Sequence, residues 1–267
     1  MYAFTYHRPD TVRQAAGLVA RKEDAKVLAG GQTLLPTMKQ RLASPGNLVD
    51  LGSVAEMKGI ERKGRTIVIG AMTTHADVAG SPLVQEAIPG LAALAGNIGD
   101  PHVRNRGTIG GSIANNDPAA DYPAACLAMG ATIITNKRKI AADDFFQGMF
   151  DTALDEGEIV TRVAFPIPGK AAYAKFPNPA SRYALVGVCV AKRGSEVRVA
   201  VTGAGASGVF RWPEAEVALS KRFSSKSLEG MAAKAAGLNA DIHADAEYRA
   251  HLIGVMARRA VDAAVGK

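Results

Sequence analysis

Two short segments with adjacent glycines, Gly30-Gly31-Gln32-Thr33-Leu34 and Thr108-Ile109-Gly110-Gly111-Ser112, constrain this chain more than any other feature. Each follows an apolar stretch, and each carries a hydroxyl residue beside its glycines. Adjacent glycines let the backbone take positive φ and leave no Cβ to obstruct a ligand. Successive N–H groups of such a turn point into one concavity and can cradle an anion. Brought together, two such turns would hold both phosphates of a dinucleotide. Taken singly, each reads equally well as a tight loop, because glycine punctuates turns everywhere. No G-x-G-x-x-G follows the first strand and no G-x-x-x-x-G-K-[ST] occurs, which argues against a Rossmann or P-loop protein.

The 267 residues are enough to bury a full core and to form two or three small domains. A hydrophobic content of 48% with 21% charged residues is ordinary for a soluble globular chain. The formal net charge is +7, but Lys and Arg are dispersed and the densest run, Lys137-Arg138-Lys139, is short. With one Trp and few other rings to stack on bases, nucleic-acid binding is not expected. The positive balance suits a polyanionic cofactor or an acidic partner subunit. Cys126 and Cys189 lie far apart in apolar surroundings and read as buried, inert thiols. Two lone cysteines cannot supply an iron–sulfur cluster, and no C-x-x-C or His-rich pattern suggests a metal site. The chain shows no signal peptide and no long apolar span, so the expectation is a cytoplasmic protein without a membrane span.

Along the chain, Tyr2–His7 reads as a strand, followed by a helix with Asp10 as N-cap and an apolar face of Val12, Ala15, Ala16 and Val19. Lys26–Ala29 is a strand running into the first glycine pair, Leu34 to Met38 a helical turn, and Asn47–Leu51 a strand, which together make a βαβ-type unit over 1–57. A second unit, 58–169, contains a strand at Thr66–Ile69 and helical segments at Thr73–Val78 and Leu83–Ile98, the latter interrupted by Pro89-Gly90. It continues with a small-residue helix at Ala119–Met129 and strands at Thr132–Thr135 and Ile159–Phe165. Pro166-Ile167-Pro168-Gly169 reads as a linker. In the remainder, 170–267, Tyr183–Lys192, Val197–Gly203 and Ser207–Trp212 alternate as an antiparallel meander. From Ser227 onward the pattern is helical, and the whole tail reads as a separate α+β domain.

Several residues could carry chemistry. The hydroxyls of Thr33 and Ser112 would bind phosphate oxygens, or else turn back on their own backbone. Asp121 would accept a bond from a cofactor hydroxyl or ring group, or else sit at a helix start stabilised by the macrodipole. His102, in Asp100-Pro101-His102-Val103-Arg104, is of the acid–base type but has no nameable partner, and reads better as a solvent-facing loop histidine. Tyr183 is either a core aromatic or a ring stacked on a planar cofactor.

The strings Ala29-Gly30-Gly31-Gln32-Thr33-Leu34-Leu35-Pro36 and Gly107-Thr108-Ile109-Gly110-Gly111-Ser112-Ile113-Ala114-Asn115-Asn116-Asp117-Pro118-Ala119-Ala120-Asp121 resemble the two flavin-binding signatures of molybdenum hydroxylase FAD subunits, the medium subunits of carbon monoxide dehydrogenase and xanthine dehydrogenase-type enzymes. The opening Phe4-x-Tyr6-x-Arg8-Pro9 and the segment Glu156-Gly157-Glu158-Ile159-Val160 resemble them too. The likeness covers nearly the whole chain and specifies a family, not a substrate. It implies an α+β fold: a PCMH-type (vanillyl-alcohol-oxidase class) FAD-binding domain of two α+β subdomains, then a C-terminal three-stranded sheet with a helical bundle. It implies that residues 30–34, with Ala29, and 108–112 hold the pyrophosphate of FAD. It puts Asp121 and Lys175 against the cofactor, Ile98 beside the flavin, backbone groups of Ile159 or Val160 at the isoalloxazine edge, and the Tyr183 ring over it. Thr33 and Ser112 replace the Ser and Asn of many relatives but keep a polar group. Arg182 stands where some carbon monoxide dehydrogenases have an acidic residue.

The resemblance further implies an electron-transfer subunit without side-chain nucleophile or metal ligand of its own. Its partners would be a molybdopterin-binding large subunit and a [2Fe–2S] small subunit, assembled as a dimer of heterotrimers. Electrons would come from the partner's clusters and leave to quinone, NAD⁺ or another acceptor. Two alternatives are a free-standing FAD oxidoreductase with its own substrate pocket and a non-enzymatic basic binding module.

Overall fold

A computed structural model describes residues 1–266 as three main sheets, each with its own helices, and one two-stranded ribbon. In the first part β1 (Thr5–His7), α1 (Val12–Arg21), β2 (Ala25–Leu28), α2 (Leu34–Lys39) and β3 (Asn47–Asp50) form a parallel sheet of order β1-β3-β2. Asn47 stands opposite both Thr5 and Ala25, so the central strand sets the register of its two neighbours. Helix α1 is capped by Thr11, not by Asp10: the Thr11 hydroxyl accepts from the Gln14 N–H at 3.2 Å, while the Gln14 side chain accepts from the Asp10 N–H at 3.0 Å. Thr11-Val12-Arg13-Gln14 has the capping-box spacing, with Gln14 reaching back to the N–H one residue before the cap, and the two bonds together outweigh a lone aspartate there.

The second part comprises β4 (Ile60–Lys63), β5 (Thr66–Gly70), α3 (His75–Gly80), α4 (Pro82–Ala87), α5 (Pro89–Gly96), α6 (Pro101–Arg104), α7 (Ile109–Asn115), α8 (Tyr122–Met129), β6 (Thr132–Thr135), β7 (Lys139–Ala141), α9 (Ala142–Phe145), β8 (Phe146–Gly148), β9 (Asp151–Thr152) and β10 (Val160–Pro166). Its main sheet is antiparallel with the order β4-β5-β10-β6-β7. Pro82 and Pro89 each open a helix at the first position, where a missing N–H costs nothing. That is why the long apolar run after Thr73 becomes three helices.

The third part is built from β11 (Lys170–Pro177), β12 (Ala184–Arg193), β13 (Glu196–Thr202), β14 (Phe210–Arg211), α10 (Pro213–Lys221) and α11 (Ala246–Val265). Its sheet has four strands rather than three, because Phe210 and Arg211 pair with Val201 and Ala200 at the edge. The helical reading from Ser227 onward fails between the short turn at Ser225–Leu228 and Ala246. Gly230 and Gly237 stand there at φ +73° and +84°, left-handed conformations that end helices. Helix α11 starts only at Asp245, whose carboxylate accepts from the Tyr248 N–H at 2.7 Å.

This sheet is covered on both faces. Val186, Val188, Val190, Val197, Val199 and Val201 face Leu252, Ile253, Met256 and Ala260 of α11. The opposite face, with Cys189, Ala191 and Ala200, joins the core of the second part through Ala124, Ala125 and Ala128 of α8. Small residues on both sides let that helix lie close to the sheet, so its run of alanines is a packing surface. Cys126 and Cys189 are both free and fully buried there. Burial raises both thiols, Cys189 to about 12, which keeps it protonated and unreactive. Among the described residues no helix is long and apolar enough to cross a membrane.

Candidate functional site

The two glycine segments meet backbone to backbone. A Cβ on Gly30 would lie 2.1 Å from the Arg106 carbonyl oxygen and 2.7 Å from Gly107 Cα, and one on Gly111 would lie 3.3 Å from Ala29 Cβ. The approach exists because Gly30 has no side chain. Gly31 has φ +74°, as expected of a positive-φ turn. The second pair departs from that expectation. Gly110 and Gly111 lie in the first turn of α7 with helical backbone, capped by Thr108, whose hydroxyl accepts from the Gly111 N–H at 3.1 Å. Gly110 serves packing, since a Cβ there would lie 2.4 Å from Ala71 Cβ.

The N–H groups of the two segments are spent differently. Ile109 donates to the Thr73 carbonyl at 3.1 Å, Gly110 to Ala71 at 2.8 Å and Ser112 to Thr108 at 3.0 Å. The N–H groups of Gly30, Gly31, Gln32 and Thr33 donate to no protein acceptor among the described residues. Backbone donors left unpaired in a loop whose glycines bring it against a second segment are ready for an anionic ligand. The Thr33 and Ser112 hydroxyls do not turn back on their own backbone; neither makes a hydrogen bond among the described residues. Thr33 and Gln32 are exposed, while Ala29, Leu34 and Ser112 are partly buried.

A second cluster joins the second part to the C-terminal sheet. Asp121 holds the cap position of α8 but caps nothing. Its buried carboxylate accepts the Tyr173 O–H at 2.5 Å and faces Lys175 Nζ at 3.0 and 3.1 Å. Lys175 Nζ also donates to the Asn97 carbonyl at 3.0 Å. Tyr173 and Lys175 are two apart on β11 and so share a face. Burial raises the Asp121 pKa, and Lys175 and Tyr173 oppose it. The structure brings Asp121 and Lys175 together; Ile98 is next in the chain to Asn97, and its own carbonyl is bonded by Arg104 Nη1 at 3.1 Å.

Tyr183 is not a core aromatic, being 46% exposed. It leaves a tight turn in which the Asn178 N–H donates to the Tyr183 carbonyl at 2.8 Å, with Arg182 at φ +62°. Partial burial, then the charges of Asp117 and Asp121, raise its pKa. Ile159 and Val160 are core residues, both 4% exposed. The N–H of Ile159 donates to Asn136 Oδ1 at 2.8 Å and so is spent, and its carbonyl accepts one bond, from the Asn136 N–H at 3.1 Å. Val160 opens β10 opposite Thr135. His102 is exposed, on the one-turn helix α6 and not in a loop.

Sequence reasoning missed Tyr173, Asn97 and His75. Period-two alternation would have put Tyr173 on the Lys175 face; nothing local marks the other two. His75 is buried behind Gly107, where a Cβ would lie 2.6 Å from its Nε2. Burial, and then the Arg104 charge, lower its pKa to about 4, which leaves it neutral. A third glycine-rich string, Gly203-Ala204-Gly205-Ala206-Ser207-Gly208, follows β13 but opens no helix. Its Gly203 N–H donates to the Pro118 carbonyl at 2.8 Å, tying the C-terminal sheet to the loop before Asp121.

Two glycine segments meeting between a parallel and an antiparallel sheet, with unpaired amides at the junction and a C-terminal sheet bonded to Asp121 in the same part of the chain, define an α+β chain of the dinucleotide-cofactor type. Residues 2–168 match the FAD binding domain in molybdopterin dehydrogenase, and residues 171–264 match the CO dehydrogenase flavoprotein C-terminal domain. The chain is 37% identical to the carbon monoxide dehydrogenase medium chain of Hydrogenophaga pseudoflava, covering 98% of this chain and 96% of that one. It is also 37% identical to the nicotine 6-hydroxylase medium subunit of Paenarthrobacter nicotinovorans, covering 97% and 96%. The solved carbon monoxide dehydrogenase of H. pseudoflava superposes with a TM-score of 0.89 over 99% of this chain and 98% of its counterpart. Quinoline 2-oxidoreductase of Pseudomonas putida 86 gives 0.87 at 29% identity over 98% and 97%. The chain therefore belongs to the FAD-binding medium subunits of the molybdenum hydroxylases, and its cofactor is FAD.

Proposed function

We propose that this chain is the electron-transfer subunit of a heteromeric molybdenum hydroxylase, receiving electrons from [2Fe–2S] clusters on a small partner subunit and passing them to an external acceptor. Substrate oxidation takes place on a molybdopterin-binding large subunit, and the complex is a dimer of heterotrimers. The observation that carries the reading is the junction of the two glycine segments: unpaired N–H groups on Gly30, Gly31, Gln32 and Thr33, set against Arg106–Gly107. FAD, when bound, supplies a carrier that accepts electrons singly and releases them as a pair.

The residues divide the work. The Gly30–Thr33 amides and the Thr33 and Ser112 hydroxyls hold the pyrophosphate, and the helical Gly111 keeps that side of the junction open toward Ala29. The Asp121–Lys175 pair orients the flavin half, with Ile98 packed beside it. Tyr183 offers its ring from a rigid turn. The division of the chain into 1–57 and 58–169 around the cofactor, with 170–267 closing over it, follows from the same reading. A net charge of +7 favours docking on an acidic partner face.

The test is expression of this chain alone and with its neighbouring genes. Alone it should carry FAD that acid precipitation releases completely, and reduce with no organic substrate. Co-expressed, it should purify with two further chains and gain substrate oxidation. Bleaching of the yellow colour by a purine, N-heterocycle, aldehyde or carbon monoxide in the lone chain would overturn the subunit reading in favour of a free-standing oxidoreductase.

A further inference from the structure

The buried carboxylate of Asp121 is held from a different part of the chain. Its donors, Tyr173 and Lys175, both belong to the C-terminal sheet, whereas Asp121 precedes α8. The site for the Tyr173 phenol is built into the neighbouring strand. Gly187 on β12 pairs with Lys175 in register, and a Cβ there would lie 2.1 Å from the Tyr173 hydroxyl. Any other residue at 187 would drive the phenol off the carboxylate. An ionised carboxylate offers about four lone-pair sites. Tyr173 uses one, and Lys175 Nζ lies against both oxygens while its remaining capacity goes to the Asn97 carbonyl. At least one acceptor site on Asp121 stays available.

We propose that Tyr173 is a positioning residue for the FAD site: with Lys175 it holds the Asp121 carboxylate so that its free acceptor capacity is directed at a hydroxyl or ring N–H of the cofactor. This inference rests on the FAD reading and adds a residue that touches Asp121, not the flavin. Without the phenol, the carboxylate pivots about its single remaining partner and loses the donor that stabilises its charged form. A purely structural Tyr173 would lower stability and leave the flavin untouched.

The experiment uses the full chain stripped of FAD and titrated with FAD by fluorescence, comparing the wild type with Tyr173→Phe and Gly187→Ala. Both substitutions should weaken FAD binding by about tenfold, the size of one hydrogen bond to a charged group. Both should shift the absorbance bands of the bound flavin in the same direction, while the thermal midpoint of apo Tyr173→Phe falls because the buried Asp121 carboxylate loses a donor. Wild-type affinity and spectrum in Tyr173→Phe with only a lowered midpoint would overturn the proposal, as would a Tyr173→Phe chain that does not fold. Wild-type protein that binds no FAD would instead bring down the reading on which it rests.

Discussion

Gly30→Ala is the sharpest test of the junction. The new methyl carbon would start 2.1 Å from the Arg106 carbonyl oxygen and 2.7 Å from Gly107 Cα. Ordinary contact between heavy atoms is about 3.5 Å, so the two segments must part by more than ~1 Å. Both sides are backbone, so no side chain can swing away. Overpacking of this kind costs ~1–3 kcal/mol, and the upper end applies here. For a chain of this size each kcal/mol lowers Tm by about 2–4 °C, giving a fall of roughly 6–12 °C. Separation of the segments also misplaces the Gly30–Thr33 amides, and losing two bonds to a charged phosphate weakens FAD binding by at least about 100-fold. Gly111→Ala is the matched control. Its backbone is helical, and its Cβ would meet only side chains, Thr108 Oγ1 at 3.0 Å and Ala29 Cβ at 3.3 Å. The gain in helix propensity, ~0.5–1 kcal/mol, offsets the tight fit, so stability should hardly change. Thermal melts of the apo chain and fluorescence titration with FAD decide the matter. Gly30→Ala with wild-type Tm and full FAD occupancy would refute the packing argument, and so would equal damage from the two substitutions.

Other outcomes follow from the same physics. Tyr183→Ala should keep FAD, since stacking beyond area burial is worth only ~0.5–1.5 kcal/mol, but change the visible flavin spectrum and the rate of reoxidation; an unaltered spectrum and rate would deny the ring any contact with the flavin. Glu158 is a pH sensor of the fold: burial alone would raise its pKa, but Arg138, Thr135 and the Asp155 N–H bring it down to about 2. A depressed carboxylate stabilises the fold above its ordinary value of 4.5, and that contribution is lost as pH falls from there toward about 2. Urea melts across that window should show Glu158→Gln with a flatter pH dependence than wild type, and parallel curves would contradict the assignment. The Tyr122 hydroxyl is buried without a partner among the described residues, and the Tyr122 ring lies 5.4 Å from that of His75. Tyr122→Phe should therefore be neutral or stabilising, and a loss of more than ~1 kcal/mol in a urea melt would mean that the hydroxyl is bonded after all.

The sequence by itself determined the elements and the family. Proline at the first helical position divided the helices of the second part, alternation marked the meander, and the likeness of the two glycine-bearing strings to flavin-binding signatures implied the cofactor. These features act over a few residues, through backbone freedom, capping and periodicity, so they are visible in a string. Local rules also misled where a neighbour overrode them. Thr11 displaced Asp10 as cap because Gln14 could reach back, and the glycines before Asp245 ended a helical pattern that composition favoured. Tertiary structure alone decided how the site is assembled. It gave Gly30 its close approach to Arg106 and made the second glycine pair a helix start. It also turned Asp121 and Lys175, more than fifty residues apart, into one buried pair with Tyr173 seated in the notch of Gly187. Whether a carboxylate caps a helix or holds an ammonium depends on what another strand brings to within about 3 Å of it, and hydrogen bonds and ion pairs act over that distance in space, not along the chain.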